Sequence, residues 1–206
     1  MSTPSKQSPS RRDFLRSSTA ATLAGTAAAG LASAGLASAG SASAGPRPVQ
    51  DGVLRIGLVG CGGRGGGAAT NALRADPDVR LVALGDTFED RALATREQLG
   101  KVLDIAERVQ VDDAQVFTGF DAYKQVIDAV DVVLLATSPH FRPLHVAYAV
   151  ERGKHLFVEK PVATDAVGVR SMLESCRKAA EKKLTVVSGL CYRYQFAKQE
   201  TVERIH

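Results

Sequence analysis

The chain has 206 residues, 45% of them hydrophobic, no tryptophan, and a formal net charge of +4. Four basic residues (Lys6, Arg11, Arg12, Arg16) and one acid (Asp13) fall before residue 45, which leaves 22 basic against 21 acidic residues in the remainder. A near-neutral body excludes nucleic acid as the expected partner, and the widely spread Cys61, Cys176 and Cys191 form neither a disulfide framework nor a zinc pattern.

The N-terminus reads as an address. Residues 10–16, Ser-Arg-Arg-Asp-Phe-Leu-Arg, resemble the twin-arginine export motif, with Arg16 where lysine is commoner. An uncharged run of Ala, Gly and Ser follows from Ser17 to Pro46, with leucine only at 23, 31 and 36. It is too weakly apolar for a stable membrane span, and weak hydrophobicity is what diverts a leader from the general secretory route. A near-repeat (LASAG, LASAG, SASAG) offers Ala-x-Ala cleavage sites, the last at Ala42-Ser43-Ala44. The expectation is a signal peptide over residues 1–44 and a linker over 45–52. The twin-arginine translocase would then be a partner, and the destination periplasmic or extracellular. That route exports folded proteins, so a bound cofactor would leave with the chain.

Residues 53–59 (VLRIGLV) form a short apolar, β-branched-rich run that predicts a buried strand. It leads into Gly60-Cys61-Gly62-Gly63-Arg64-Gly65, which fits G-x-G-x-x-G, and then into an alanine-rich stretch to Leu73 that predicts a helix. In a strand–turn–helix context, the first glycine permits the tight turn and the second lets the backbone approach a pyrophosphate. The third allows close helix–strand contact, and the helix N-terminus offers free N–H groups. A second strand from Val79 to Leu84 ends at Gly85-Asp86, 21 residues past Gly65, near the spacing of a ribose-binding acid. Asp86 would accept hydrogen bonds from the ribose hydroxyls and repel a 2′-phosphate. That favours NAD, while the nearby Arg91 keeps NADP open.

The remaining elements alternate as a doubly wound parallel sheet requires. A helix precedes Val109, Val116-Phe117 is a short strand, and residues 122–129 are a helix. Residues 131–136 (DVVLLA) are a buried strand, followed by a helix from Pro143 to Arg152 that stops at Gly153. Residues 154–158 are a strand, 164–182 a long charged helix, 184–188 a strand, and 198–205 the start of another helix. The expected fold is α/β: a Rossmann domain over residues 53–188, with 189–206 beginning a second α/β domain.

Two motifs then fall beyond strand carboxyl ends, where open α/β sheets bind ligands. Ala136-Thr137-Ser138-Pro139-His140 follows one strand and Glu159-Lys160-Pro161 the next. With the glycine loop and residues 153–163 (GKHLFVEKPVA), they resemble the Gfo/Idh/MocA oxidoreductases from Leu54 to the C-terminus. That resemblance implies a Rossmann domain for NAD or NADP and a second open-sheet domain for a sugar or polyol substrate. It implies that Lys160 contacts the substrate hydroxyl and assists proton transfer. Glu159 would stand near the nicotinamide, with Pro161 fixing the loop. A lysine at a strand end beside a cationic nicotinamide is disfavoured as the ammonium by like charge and burial.

His140 and His145 are candidates for the nicotinamide pocket, although His145 is equally a packing or capping residue of its helix. The cofactor-binding set is thus Gly60, Gly62, Gly63, Arg64, Gly65, Asp86, Thr137, His140 and Glu159, with no metal. Arg193, near the crossing to the second domain, is either an active-site or a surface residue. The chain stops at His206, so a substrate domain of some ~150 residues is expected beyond this sequence. Self-association would need it too. Two alternatives remain: relatives of this fold that use NAD to cleave glycosides without net redox, and a dinucleotide-binding fragment without turnover.

Overall fold

The structure, a computed structural model, describes residues 52–205. The export leader and its cleavage sites lie outside them. Six strands form one sheet: β1 (Leu54–Val59), β2 (Val79–Asp86), β3 (Val116–Thr118), β4 (Val132–Leu135), β5 (His155–Val158) and β6 (Val186–Ser188). Every pairing is parallel and the spatial order is β3-β2-β1-β4-β5-β6. The chain works outward from β1 through β3, then crosses back to lay β4 on the other side of β1. This Rossmann topology places the switch point at the carboxyl ends of β1 and β4.

The helices are α1 (Gly63–Ala75), α2 (Glu89–Gly100), α3 (Ala122–Ala129), α4 (Arg142–Glu151), α5 (Ala166–Glu181) and α6 (Phe196–Ile205). Side chains alternate faces along a strand, and the two cores follow that alternation. Ile56 and Leu58 of β1 pack with Ala69 and Leu73 of α1 and Ala92 and Leu99 of α2. Val59 joins Val126 and Ile127 of α3, Val146 of α4, and Met172 and Ala179 of α5 on the opposite face. With both faces covered, the strands read as continuous apolar runs. At the amino-terminal edge, Asp131 accepts from the Arg55 guanidinium through both carboxylate oxygens, at 2.9 and 3.2 Å, and from the Arg55 backbone N–H at 3.1 Å. The pair pins the start of β1 beside β4.

Strand and helix boundaries fall within a few residues of the sequence expectation, with one real difference. The helix expected before Val109 ends at Gly100, and two short 3₁₀ turns, Ala106–Arg108 and Asp113–Gln115, carry the chain to β3. Ile105 is buried in the core from this irregular stretch. The Arg108 guanidinium donates to the backbone carbonyls of Leu73, Asp76 and Asp104, tying the connection to the end of α1. Long-range polar anchoring thus overrides the local helical pattern. The N-terminus of α5 is set by Asp165, whose carboxylate accepts from Gly168 N at 2.6 Å, as an N-cap residue does.

Candidate functional site

The loop after β1 is built by steric necessity. Gly60 has φ +95°, and a side chain there would meet the backbone of Ala136 and Thr137 at 2.7 Å. At Gly65, a Cβ would lie 1.9 Å from the Gly60 carbonyl oxygen, so only glycine lets the first turn of α1 press onto the end of β1. Between them, Gly62 is the N-cap of α1 and has open space where its Cβ would be. The α1 N-terminus therefore carries free backbone donors beside a surface that no side chain covers, which suits a phosphate.

Asp86, at the end of β2, is oriented by two backbone donors. Cys61 N donates to one oxygen at 2.7 Å and Phe88 N to the other at 3.1 Å. The acid and the glycine loop are therefore one unit. The Cys61 side chain is buried beneath it, its thiol pushed up to about 12 chiefly by burial and secondarily by Asp86. It is a packing residue without thiolate chemistry.

Gly60, Gly62 and Asp86 line a cavity of about 370 Å³ that continues past the end of β3 to Thr137 and His145 beyond β4. It spans the switch point, with an acid at one end, a glycine cradle in the middle and polar groups at the other end. This arrangement fits a dinucleotide. The sequence reading missed its aromatic wall. Phe88 and Phe120 are both more than half exposed, Arg91 lies over the Phe88 ring at 5.1 Å, and Phe120 meets Phe141 at 6.1 Å. Exposed aromatics beside strand ends were the available signal.

His145 is 4% exposed and stacked on Tyr123, with ring centroids 4.1 Å apart. Its Nδ1 lies 3.4 Å from the Thr137 hydroxyl. It is both a packing residue of its helix and part of the cavity wall. His140 is exposed, sits edge-on to Phe141 and does not line the cavity.

The second motif cluster lies beyond β5. Glu159 is 3% exposed, and its Oε1 forms an ion pair with Arg64 of the glycine loop. Its Oε2 accepts from Lys160 N at 3.2 Å. The Lys160 side chain is exposed at the same strand end, before a cis peptide bond to Pro161. Arg142, unremarked in the sequence, is buried at the start of α4. It donates to the Thr137 carbonyl at 2.6 Å and also to the Pro161 carbonyl. One guanidinium thus joins the loops after β4 and β5, and with them Thr137 and Lys160. A charge opening a helix that then turns apolar was its only sequence mark.

The His145 environment predicts a pH effect. Burial pushes its pKa down to about 4. Between that value and the ordinary ~6.5 of an unfolded histidine, the unfolded chain binds a proton that the folded chain does not. This contribution to stability is therefore fully present above pH 6.5 and is lost as pH falls towards 4. Urea unfolding at pH 7 and pH 4.5 should show a loss smaller in His145→Phe than in the wild type, by up to about 3 kcal/mol. Equal losses in the two proteins would remove His145 as the cause.

Comparison with known proteins agrees with this geometry. Residues 54–188 match GFO_IDH_MocA, the oxidoreductase family with an NAD-binding Rossmann fold. A glycosyl hydrolase family 109 protein of Solibacter usitatus is 31% identical over 146 residues, covering 70% of this chain and 32% of the relative. Inositol 2-dehydrogenase of Cereibacter sphaeroides (strain ATCC 17029) is 30% identical over 152 residues, covering 72% of this chain and 41% of the relative. Scyllo-inositol dehydrogenase of Lactobacillus casei, solved with NAD(H) and scyllo-inositol, has the same fold. Its TM-score is 0.58 at 23% identity, over 74% of this chain and 41% of that one. The chain thus spans about a third to two-fifths of the length of these relatives. With the match running from the first residue of β1 to the last of β6, the chain belongs to the Gfo/Idh/MocA oxidoreductase family and carries its NAD-binding Rossmann domain.

Proposed function

We propose that this chain is the cofactor-binding part of an exported, NAD-dependent oxidoreductase that moves hydride between nicotinamide and a sugar or polyol. The observation that carries the reading is the cavity over the switch point, with Asp86 at one end, Gly62 uncovered in the middle and Thr137 at the far end. Asp86 would hold the adenosine ribose, the α1 N-terminus the diphosphate, and Thr137 with Glu159 the nicotinamide end. The bound cofactor would supply the hydride acceptor. Lys160, at the end of β5, would accept the substrate hydroxyl's proton on Nζ as hydride leaves the same carbon, so that the hydroxyl becomes a carbonyl. The Arg142 bridge would keep the Thr137 and Lys160 loops in register.

The family 109 relative favours a second reading, in which the hydride is returned and a glycosidic bond is cleaved without net redox. Accumulation of reduced nicotinamide during turnover separates the two: a dehydrogenase accumulates it and a redox-neutral glycosidase does not.

Three measurements test the proposal. Fluorescence titration of the 206-residue chain should show tighter binding of NAD than of NADP. Asp86→Ala should narrow that preference by about 1–3 kcal/mol, the scale of lost charge-assisted hydrogen bonds. Tighter NADP binding by the wild type would refute the assignment of Asp86.

In the protein extended by a substrate domain of the relatives' length, Lys160→Ala should lower kcat by ~10²–10⁴-fold, the range for a positioned proton-transfer group. NAD affinity should change only a few-fold. Lys160→Arg should rescue little, because guanidinium keeps its proton. An unchanged kcat would leave Lys160 a loop residue.

Export rests on Arg11 and Arg12, outside the described residues. Replacing both with lysine should strand the protein in the cytoplasm. Processed protein outside the cytoplasm from that variant would refute the twin-arginine route, and N-terminal sequencing should place wild-type cleavage near Ala44.

A further inference from the structure

Glu159 is enclosed unusually for a carboxylate. It is 3% exposed, and the backbone of Gly189 closes one side so tightly that a Cβ there would sit 2.7–2.8 Å from the carboxylate atoms. Oε2 has the Lys160 N–H, while Oε1 meets Arg64 as an ion pair without an aligned hydrogen bond. A buried carboxylate is costly without a counter-charge; Arg64 supplies the ion pair, and the buried Arg142 guanidinium adds a second positive charge to its surroundings. Arg64 is half exposed and is the second residue of α1, in the turn whose N–H groups face the phosphate position. It is therefore anchored beside one anion site while its guanidinium rests on another.

We propose that Arg64 is a cation shared in turn by two anions: the Glu159 carboxylate, as in this structure, and the diphosphate of a bound dinucleotide. The inference rests on the dinucleotide reading above. A guanidinium pairs with a diphosphate through parallel donors, and the diphosphate carries more charge than one carboxylate. The flexible, half-exposed side chain of Arg64 can turn between the two, whereas Glu159 is fixed by Gly189 and the Lys160 N–H. The exchange couples the halves of the site. Diphosphate capture withdraws one cation from Glu159, leaving the fixed Arg142, and frees more of its negative charge for the nicotinamide end, where the oxidised ring is positive. Glu159 therefore competes with the diphosphate for Arg64 and then favours the oxidised cofactor.

ADP-ribose isolates the exchange, because it carries the diphosphate and lacks the nicotinamide charge. Calorimetric titration of the 206-residue chain with ADP-ribose should give tighter binding for Glu159→Gln than for the wild type, by about tenfold, since Arg64 no longer has to leave a carboxylate. The double variant Arg64→Ala/Glu159→Gln should bind more weakly than the wild type, by at least about threefold, because no cation turns to the diphosphate. If Arg64 instead stays on Glu159, deleting both members of a neutral pair leaves affinity unchanged, and that result overturns the exchange. So does a Glu159→Gln variant that binds no tighter. Failure of the wild type to bind either NAD or ADP-ribose would sink the dinucleotide reading itself, a different outcome. Should a variant not fold, a crystal structure of the wild type with ADP-ribose decides. Arg64 on the diphosphate supports the exchange, and Arg64 on Glu159 refutes it.

Discussion

A side chain at residue 65 would have to occupy the space of the Gly60 carbonyl oxygen, and one at residue 60 the backbone of Ala136. This double exclusion sets the geometry on which the rest of the site depends. It lets α1 begin directly on the end of β1, and it lets β1 and β4 run out side by side. The helix N-terminus, with its unpaired N–H groups and partial positive charge, is thereby placed at the switch point of the sheet. The parallel pairing of all six strands puts every other candidate residue along the same edge. Asp86 ends β2, Thr137 follows β4, and Glu159 and Lys160 follow β5.

Polar contacts then fix what the sheet only brings near. Asp86 reaches back to Cys61 N, so the acid that would select the cofactor also holds the loop that would bind the phosphates. Arg142 spans the loops after β4 and β5 from the first residue of α4. Arg64 spans from the glycine loop to Glu159. Most of these contacts join separate loops, Cys61 to Asp86, Arg142 to Pro161 and Arg64 to Glu159, so the strand ends are cross-linked to one another. In a low-dielectric interior such links gain strength, and losing one partner is costly for the group left behind.

The division of labour follows from where the charges sit. The Asp86 end of the cavity is walled by exposed aromatics and one oriented acid, which suits a flat base and a ribose. The β5 end concentrates Glu159, Lys160, Arg64 and Arg142 within one loop cluster, which suits groups that change charge during a reaction. Both ends lie within residues 54–188, which match the family's NAD-binding Rossmann fold. Next to β5 in the sheet, β6 leads through Gly189 into the 3₁₀ turn Cys191–Tyr194 and α6. Tyr192, Tyr194 and Phe196 are all exposed along that stretch.

The amino-acid sequence by itself determined the parts that depend on local chemistry. Apolar β-branched runs marked the strands, and the spacing of Gly60, Gly62 and Gly65 marked the tight turn from β1 into α1. The motif around Glu159-Lys160-Pro161 carried the family. What it could not determine were relations between residues distant in the chain. Nothing local assigns Arg64 to Glu159, 95 positions on, or Arg142 to the carbonyl of Pro161, 19 positions on. Gly100 is a local stop for α2, but nothing local places Ile105 in the core or Arg108 on the end of α1. His145 read equally as packing or pocket because both depend on Tyr123, from another helix, stacking against it. Periodicity and turn chemistry act over a few residues and survive in the sequence. Ion pairs, ring stacking and shared burial exist only once the parallel sheet has set the strand ends side by side, and the tertiary structure alone decided them.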